Sequence, residues 1–281
     1  MASSRLFDRA LIRVTATEPG EDVRAFLQGL VTNDTRRLDE GPVWAALLTA
    51  QGKVLFDFLL WADGNDVLID CEETHAAGLI RRLSIYRLRR KIAFEREEGL
   101  GVYWRDRAPA KGTRRSSISV GPKAGAHHPT VPAGLLPSQE HADPRLSELG
   151  HRWIDSISDA DTDASEGWRA HRLSLGVLEG EAELGQDATL WLECNAIELH
   201  GVAFDKGCYV GQENTARMNW RQKINRRLVV VPLADADPKR QRIAYPQLGV
   251  SVEHRRAEDM ASLELPDWQR SGIEKAAETS A

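Results

Sequence analysis

The sequence predicts an α+β fold in which antiparallel sheets are flanked by helices. Two apolar runs of strand length, residues 43–50 and 54–61, are separated by Gln-Gly-Lys, which is typical of a β-hairpin with glycine in its turn. An Asp-Gly-Asn turn at 63–65 then precedes a third strand-like segment, residues 66–71. Because consecutive strands and helical patterns are segregated along the chain, antiparallel sheets with helices on one face are favoured.

Composition places the chain among globular proteins. It has 281 residues, of which 42% are hydrophobic and 28% are charged, and this length is sufficient for two or three domains. No apolar run approaches the ~18 residues that a membrane span needs. The net charge of -5 argues against a surface that binds DNA over the whole molecule. Since the N-terminus lacks a secretory pattern, a cytoplasmic protein without membrane contact is expected.

The first 105 residues are predicted to form one α+β domain. Residues 10–15 alternate as a strand does, and residues 22–30 carry apolar side chains at helical spacing. Asn33 and Asp34 follow this helix, and the residues alone favour a helix-ending turn over a binding role. The strands of residues 43–71 follow, and strand-like segments at 92–97 and 100–104 end the domain.

A cationic helix follows the third strand. Residues 74–86 are preceded by acidic side chains and end in basic ones, as the helix dipole prefers. Six cations lie in the last part of the helix and just beyond it, namely Arg81, Arg82, Arg87, Arg89, Arg90 and Lys91. Such a run is usually a solvated face. It could instead bind an anion, and Tyr86 could stack on a planar ring.

A second domain is predicted over residues 106–223. Its first part, residues 106–142, is rich in Pro, Gly, Ser, Lys and His and indicates an exposed connection. A strand at 152–157 and a helix at 166–175 follow. Arg145 and Arg172 are expected at the surface.

A third, short domain is predicted over residues 224–281. A strongly apolar strand at 224–233 begins it, and only about fifty residues remain after that strand. We therefore expect a small β-domain. The tail from Ser271 is polar and is expected to be disordered.

The chemistry of the chain is concentrated in residues 206–213. This octapeptide contains a cation, a thiol, a phenol, a carboxylate and two glycines: Lys206, Gly207, Cys208, Tyr209, Gly211 and Glu213, with Val210 and Gln212 between them. A thiolate is the reactive form of cysteine, and a nearby cation lowers its pKa, so Lys206 could activate Cys208 if both faced one pocket. Both glycines permit positive φ and close approach to a ligand. A tight turn with a buried structural cysteine is the alternative.

The other two cysteines are expected to be structural. Cys71 ends an apolar strand, and Cys194 lies fourteen residues before Cys208 without a redox spacing. Three cysteines with no Cys-X-X-Cys motif argue against a disulfide framework and against a tetrahedral metal site made by the protein alone. No permanently bound metal is expected.

The octapeptide KGCYVGQE resembles the signature of the YgfZ family of folate-binding proteins. That family is related to the glycine cleavage system T-protein and to the mitochondrial Iba57-type iron–sulfur assembly factors. The resemblance extends over most of the chain, through LQGLVTND at 27–34, LLTAQGKVLFDF at 47–58, RLSIYRLRRKI at 82–92, DPR followed by LG and R at 143–152, and WRAHRLSLG at 168–176. It implies a T-protein-like fold around a central pocket, with a small and reduced C-terminal β-domain.

The resemblance also implies tetrahydrofolate as the cofactor. Cys208 and Lys206 would be the acting pair, and Gly207 and Gly211 would set the loop geometry. The residues that would contact the cofactor are Asn33, Asp34, Arg81, Tyr86, Arg87, Tyr209, Gln212 and Glu213. The arginines of this set would bind the glutamate tail of folate.

The function implied is assistance in the assembly or repair of iron–sulfur proteins, particularly [4Fe–4S] proteins and tRNA-modifying radical enzymes. Cys208 would act as a nucleophile, a redox thiol or a transient iron ligand, and iron–sulfur carriers or clients would be the partners. One thiol cannot hold a cluster alone. Two alternatives stay open: an aminomethyl or one-carbon transferase like the T-protein, which would be an enzyme and needs no thiol, and a non-catalytic adaptor for iron–sulfur carriers.

Overall fold

The computed structural model describes residues 4–106, 139–221 and 224–278, which form three sheets and six α-helices. The strands are β1 (Ser4–Arg5), β2 (Arg9–Ala16), β3 (Val43–Leu48), β4 (Val54–Asp63), β5 (Asp66–Glu72), β6 (Ile92–Glu97), β7 (Leu100–Arg105), β8 (His141–Ala142), β9 (His151–Ser156), β10 (Thr162–Asp163), β11 (Arg226–Pro232), β12 (Gln241–Tyr245) and β13 (Val250–Arg256). The helices are α1 (Val23–Gln28), α2 (Ala76–Arg87), α3 (Ser165–Ser174), α4 (Glu181–Leu184), α5 (Gln212–Trp220) and α6 (Asp267–Glu278). In the exposed connection predicted for 106–142, residues 107–138 lie outside the described residues. None of the helices in the described ranges has the length and apolar content to span a bilayer.

The first sheet has the strand order β3-β4-β5-β2-β6 and is antiparallel throughout. β3 and β4 form the predicted hairpin, and β4 and β5 are joined by a turn in which Gly64 has φ +60°. Helices α1 and α2 bury apolar side chains at helical spacing against one face, including Phe26, Leu79 and Leu83. The predicted α+β class with antiparallel sheets and flanking helices is confirmed.

The second sheet has the order β10-β1-β7-β9-β8 and combines strands from distant parts of the chain. β1 runs parallel to β10, and β7 pairs with β9 in antiparallel register. The predicted domain boundary at residue 105 falls between β7 and β9, so this sheet uses strands from both sides of it. The division of the chain into three domains stays a prediction.

The third sheet is small, with the order β11-β13-β12, as expected for a reduced C-terminal β-structure. The tail predicted to be disordered from Ser271 is helical as far as Glu278, so that prediction is wrong there. The reason lies just before the tail. The indole of Trp268 donates to the carbonyl of Leu175 at 2.9 Å, and the buried Gln269 amide donates to the carbonyl of Leu228 at 2.9 Å. These bonds fix the start of α6 against the core.

A buried ion network lies where the three sheets meet. Arg9 of β2 donates to Asp70 of β5 at 2.6 Å, and Arg152 of β9 donates to the same carboxylate at 2.9 Å. The phenol of Tyr245 in β12 joins the third sheet by donating to Glu183 at 2.7 Å. The network contains four guanidinium groups and four carboxylates: Arg9, Arg145, Arg152 and Arg172 with Asp70, Asp143, Glu179 and Glu183. Its formal charges cancel, which is the condition under which buried charges are tolerated.

Arg145 and Arg172, which were predicted to be surface residues, are buried in this network. Arg145 makes two hydrogen bonds to Asp143, at 2.8 and 2.9 Å, and one to Glu179 at 2.7 Å. Arg172 forms a two-bond pair with Glu183 at 2.6 and 2.8 Å. The prediction failed because arginine is rarely buried unless it is paired, and nothing in the spacing of Glu179 and Glu183 shows that they pair with Arg145 and Arg172.

The network sets the ionisation of its carboxyl groups. Burial by itself would raise the pKa of Glu179, but the surrounding guanidinium groups of Arg9, Arg145 and Arg152 hold that pKa well below its usual range. Asp57 of β4 lies beside the network without a direct arginine bond. Burial and the charge of Glu179 raise its pKa to about 6. Glu179 therefore stays ionised, whereas the charges of Arg9 and Arg145 offset the effect of burial on Asp57 only in part.

We expect Arg145→Met to lower the free energy of unfolding by about 3–5 kcal/mol, because it leaves Asp143 and Glu179 buried with an unbalanced charge. Urea denaturation followed by circular dichroism measures this loss. Arg36→Met is the matched control, since Arg36 is an exposed arginine that also pairs with a carboxylate, Asp34. Equal effects of the two substitutions would show that the network is not a main source of stability.

Candidate functional site

Cys208 lies exposed in a loop that ends where α5 begins. Of the three cysteines in the chain, Cys71 and Cys194 are buried and Cys208 alone is exposed. Burial raises the pKa of Cys71 to about 12, and burial also raises the pKa of Cys194 well above its usual value. Both buried thiols are therefore held protonated and shielded, which leaves Cys208 as the thiol that a partner molecule can reach.

The loop is fixed by a close contact between two glycines. Gly211 has φ +82°, and a Cβ on it would overlap the Thr49 carbonyl oxygen and lie 2.9 Å from the Cβ of Leu48. Gly52 in the β3–β4 turn has φ +80°, and a Cβ there would lie 3.2 Å from the Gly211 carbonyl oxygen. The turn of the first hairpin therefore packs directly on the start of α5. This contact brings together two of the sequence motifs that carry the family resemblance.

Lys206 holds the other side of the loop. Its ammonium group donates to the carbonyls of Gln28 at 2.7 Å and Val31 at 2.5 Å, at the end of α1. The same group lies 4.9 Å from the ring centre of Tyr209. Burial lowers its pKa to about 8. The ammonium group of Lys206 thus attaches the loop to α1. That Lys206 lowers the pKa of Cys208 stays a prediction.

Tyr209, Gln212 and Glu213 differ in how free they are. Tyr209 is buried in the core, its hydroxyl faces Thr215 without hydrogen-bond geometry, and burial raises its pKa to about 12. The amide oxygen of Gln212 accepts from the backbone N–H of Tyr209 at 3.3 Å and helps to close the loop. Glu213 is exposed in the first turn of α5. Of these three side chains, only that of Glu213 is exposed, so its carboxylate is the polar group that a ligand could reach.

Asn33 and Asp34 are engaged inside the protein. The amide of Asn33 donates to the carbonyls of Trp44 and His200, both at 2.7 Å, and so ties β3 to the segment before the loop. The carboxylate of Asp34 caps the short helix of residues 35–39 and pairs with Arg36, which lowers its pKa to about 2. Their binding role stays a prediction, since the groups that would contact a ligand already have partners.

The α2 residues form a separate group. Arg81 and Arg87 are exposed, and Tyr86 is half-buried against the apolar cluster of the first sheet. Among the described residues, no hydrogen bond or ion pair joins α2 to residues 206–213. The structure therefore brings Asn33, Asp34 and the octapeptide together, whereas the cationic helix is not bonded to that group.

Sequence reasoning missed several residues that position the loop. Gln28 donates from its amide to Asp34 at 3.0 Å and to the Lys206 carbonyl at 3.4 Å, so it bridges the two segments. Thr32 donates to the Gly201 carbonyl at 2.7 Å and accepts from the backbone N–H of Ala46 at 2.9 Å. Gln28 and Thr32 lie inside the 27–34 motif, and the motif was the only signal that could have marked them.

A protein metal centre is not formed around Cys208 in the part of the chain that the structure describes. Within residues 4–106, 139–221 and 224–278, no three His, Cys, Asp or Glu side chains are grouped so that they could hold a metal ion. Transient binding of iron by Cys208 stays a prediction.

Comparison with solved structures identifies the fold. The crystal structure of glycine cleavage system aminomethyltransferase T from Bartonella henselae matches with a TM-score of 0.58 and 11% sequence identity, over 92% of this chain and 79% of that one. The sheets and the loop that presents Cys208 thus belong to a protein with the aminomethyltransferase T fold. At this identity the match shows the fold alone. No family model matches the chain.

Comparison with curated proteins gives the family. The human mitochondrial iron–sulfur cluster assembly factor IBA57 is 30% identical over 259 residues, which cover 84% of this chain and 68% of the human protein. The mitochondrial IBA57 homolog of Pyricularia oryzae is 30% identical over 257 residues, covering 87% of this chain and 61% of the fungal protein. This chain belongs to the IBA57 family.

The predicted cytoplasmic location is wrong by this comparison, since the human and Pyricularia oryzae relatives are both mitochondrial proteins. The inference failed for a physical reason. The absence of a secretory pattern bears only on export, and it carries no information about compartments within the cell.

We expect Gly211→Ala to destabilise the protein more than Gly207→Ala. Both glycines have positive φ, so an alanine at either costs ~1–2 kcal/mol. At Gly207 nothing lies within 4 Å of an added Cβ, whereas at Gly211 the Cβ meets the hairpin turn. For Gly211→Ala we therefore expect the free energy of unfolding to fall by about 3 kcal/mol or more. Thermal and urea unfolding measure both. A loss at Gly207 equal to that at Gly211 would contradict the packing account.

We also expect Cys208 to be alkylated first when the folded protein is treated with iodoacetamide near pH 7. Cys71 and Cys194 react only when the protein opens, because both are buried. Peptide mass spectrometry over time gives the three rates, and the same protein in denaturant is the control in which all three react. Labelling of Cys71 or Cys194 ahead of Cys208 would contradict this assignment.

Proposed function

We propose that this protein assists the assembly or repair of iron–sulfur proteins and that Cys208 is the group that acts. The observation that carries the proposal is the exposed thiol on a loop fixed by Lys206 and Gly211. Membership of the IBA57 family supports it, because the human and Pyricularia oryzae relatives are named iron–sulfur cluster assembly factors. The chain spans 68% and 61% of those two proteins, and their activity is therefore part of the proposal for this chain.

Cys208 would supply one ligand to an iron–sulfur cluster in transit. Clusters are usually held by four protein ligands, so a carrier or client protein would supply the others. The surroundings suit such an encounter, because Gly207 has open space beside it and Cys208 and Glu213 are both exposed. The fixed loop holds the thiol in one place while the partner approaches, which reduces the ordering cost of the contact.

The finer part of the proposal concerns the clients. The YgfZ resemblance of the octapeptide implies [4Fe–4S] proteins, including tRNA-modifying radical enzymes, and we propose these as clients. This part depends on the resemblance of residues 206–213 and of the other matching segments.

Tetrahydrofolate binding is also part of the proposal, and the aminomethyltransferase T fold supports it. The predicted contact residues fit the cofactor only in part. Arg81, Arg87 and Glu213 are exposed and have polar groups that a ligand could reach. Asn33, Asp34, Tyr209 and Gln212 would have to give up internal contacts first, as described above. The fold, rather than this residue set, is therefore the support for folate.

The test is a complementation experiment in cells that lack the protein. Wild type, Cys208→Ser and Asp205→Asn would be supplied at matched levels, and the activity of a [4Fe–4S] tRNA-modifying radical enzyme would be measured. Asp205 is an exposed residue of the same loop and serves as the matched control. We expect wild type and Asp205→Asn to restore the activity and Cys208→Ser to restore little of it, because serine is a poor iron ligand and nucleophile.

The other outcomes separate the alternatives. Full rescue by Cys208→Ser would remove the thiol from the proposal and favour an adaptor. If wild type does not restore the enzyme's activity, a role in iron–sulfur assembly is excluded, and one-carbon transfer becomes the function to test. The folate part is checked separately on purified protein. Saturating tetrahydrofolate should raise the melting temperature of wild type and Cys208→Ser alike. At a hundredfold excess of ligand over Kd, the expected stabilisation is about 2.7 kcal/mol. If the melting temperature does not change, folate binding is excluded while the rest of the proposal stands.

A further inference from the structure

A cationic cavity lies at one end of the third sheet, away from the Cys208 loop. Its volume is about 390 Å³. Apart from Gln241, every side chain that lines it is basic: Arg226, Lys239, Arg240, Arg242, His254 and Arg256. Such a concentration of one charge is unexpected in a chain whose net charge is -5.

Three of these side chains have acidic partners at the rim. Arg240 pairs with Asp237 at 3.1 Å and with Asp259 at 2.6 Å. Arg256 pairs with Glu258 at 3.0 Å, and the ring of His254 faces Glu193 at 3.3 Å. These contacts order the rim of the cavity and neutralise part of its charge.

The remaining cations are not neutralised within the described ranges. Arg226 and Lys239 are exposed and take part in no ion pair there. Arg242 donates to the Thr189 hydroxyl at 3.0 Å, while its Nε is buried without a hydrogen-bond partner. Arg242 also takes part in no ion pair in the described ranges, so Arg226, Lys239 and Arg242 all present an uncompensated positive charge to an anion in the cavity.

The strand register concentrates the charge further. Arg226 of β11 lies directly opposite Arg256 of β13, and Leu228 lies opposite His254. Directly opposed like charges destabilise an antiparallel pair. The two pairs lie two positions apart in each strand, so all four side chains are on the same face of the sheet. This face is apolar at Leu228, which packs in the core, and cationic at the end of the strands.

We propose that this cavity binds a ligand carrying two or more phosphate groups. Guanidinium groups form paired hydrogen bonds with the oxygen atoms of phosphate, and several of them around one cavity match a compact polyanion. No aromatic side chain lines the cavity among the described residues, so the phosphate groups rather than a stacked ring are recognised. No residue of the Cys208 loop lines the cavity, and the site is independent of the function proposed above.

The test is isothermal titration calorimetry of the full chain with inorganic pyrophosphate at low salt, with citrate as the carboxylate comparator. We expect wild type to bind pyrophosphate, and Arg226→Gln and Arg242→Gln each to weaken binding at least tenfold. Arg270→Gln removes an exposed arginine outside the cavity and is the matched control, expected to bind like wild type. Added salt should weaken binding in every protein that binds.

Melting temperatures keep loss of binding distinct from loss of folding. Without ligand, Arg226→Gln should melt no lower than wild type, because it relieves the repulsion with Arg256. With pyrophosphate, wild type should melt higher and Arg226→Gln should not. The proposal is overturned if wild type does not bind pyrophosphate, if Arg226→Gln binds as well as Arg270→Gln, or if citrate binds as tightly as pyrophosphate.

Discussion

The meeting of four buried arginines with four buried carboxylates is the constraint on which the arrangement of the three sheets depends. Arg9 and Asp70 come from the first sheet, Arg152 from the second, and Tyr245 reaches the network from the third. Ions of this kind are tolerated in a core only when all partners are in place. Detaching the second sheet would take Arg152 from Asp70 and leave buried charge uncompensated, whereas detaching the third would take a hydrogen bond from Glu183. The sheets are therefore coupled in stability, even though strand pairing within each is complete by itself.

The first sheet could be predicted well from the sequence, because its information is local. The hairpin, the Gly64 turn and the apolar spacing of α2 are each set by residues within a few positions of one another. The second sheet could not be predicted, since β7 and β9 are joined across a long connection. The helix α6 was missed because its anchors, the hydrogen bonds from Trp268 and Gln269, reach carbonyls far away in the chain.

The candidate site divides in the same way. The octapeptide contains the exposed thiol of Cys208, and the positive φ of both its glycines agrees with the residue type. The spacing of the residues did not show which way the Lys206 side chain points. Lys206 is two positions from Cys208 and yet points to the end of α1, because two carbonyls there lack helical partners. Proximity along the chain limits where a side chain can reach, and tertiary contacts decide which group it meets.

The contact between Gly52 and Gly211 has a consequence for how such sequences can change. A Cβ on Gly211 would overlap the Thr49 carbonyl oxygen, and a Cβ on Gly52 would lie 3.2 Å from the Gly211 carbonyl oxygen, so a side chain at either position is strained while the other segment stays as it is. The turn of the first hairpin and the thiol-bearing octapeptide are therefore bound to vary together. Over evolutionary time, a lengthened or shifted hairpin would have to be matched by a remodelled thiol loop, and the two would be inherited as one unit.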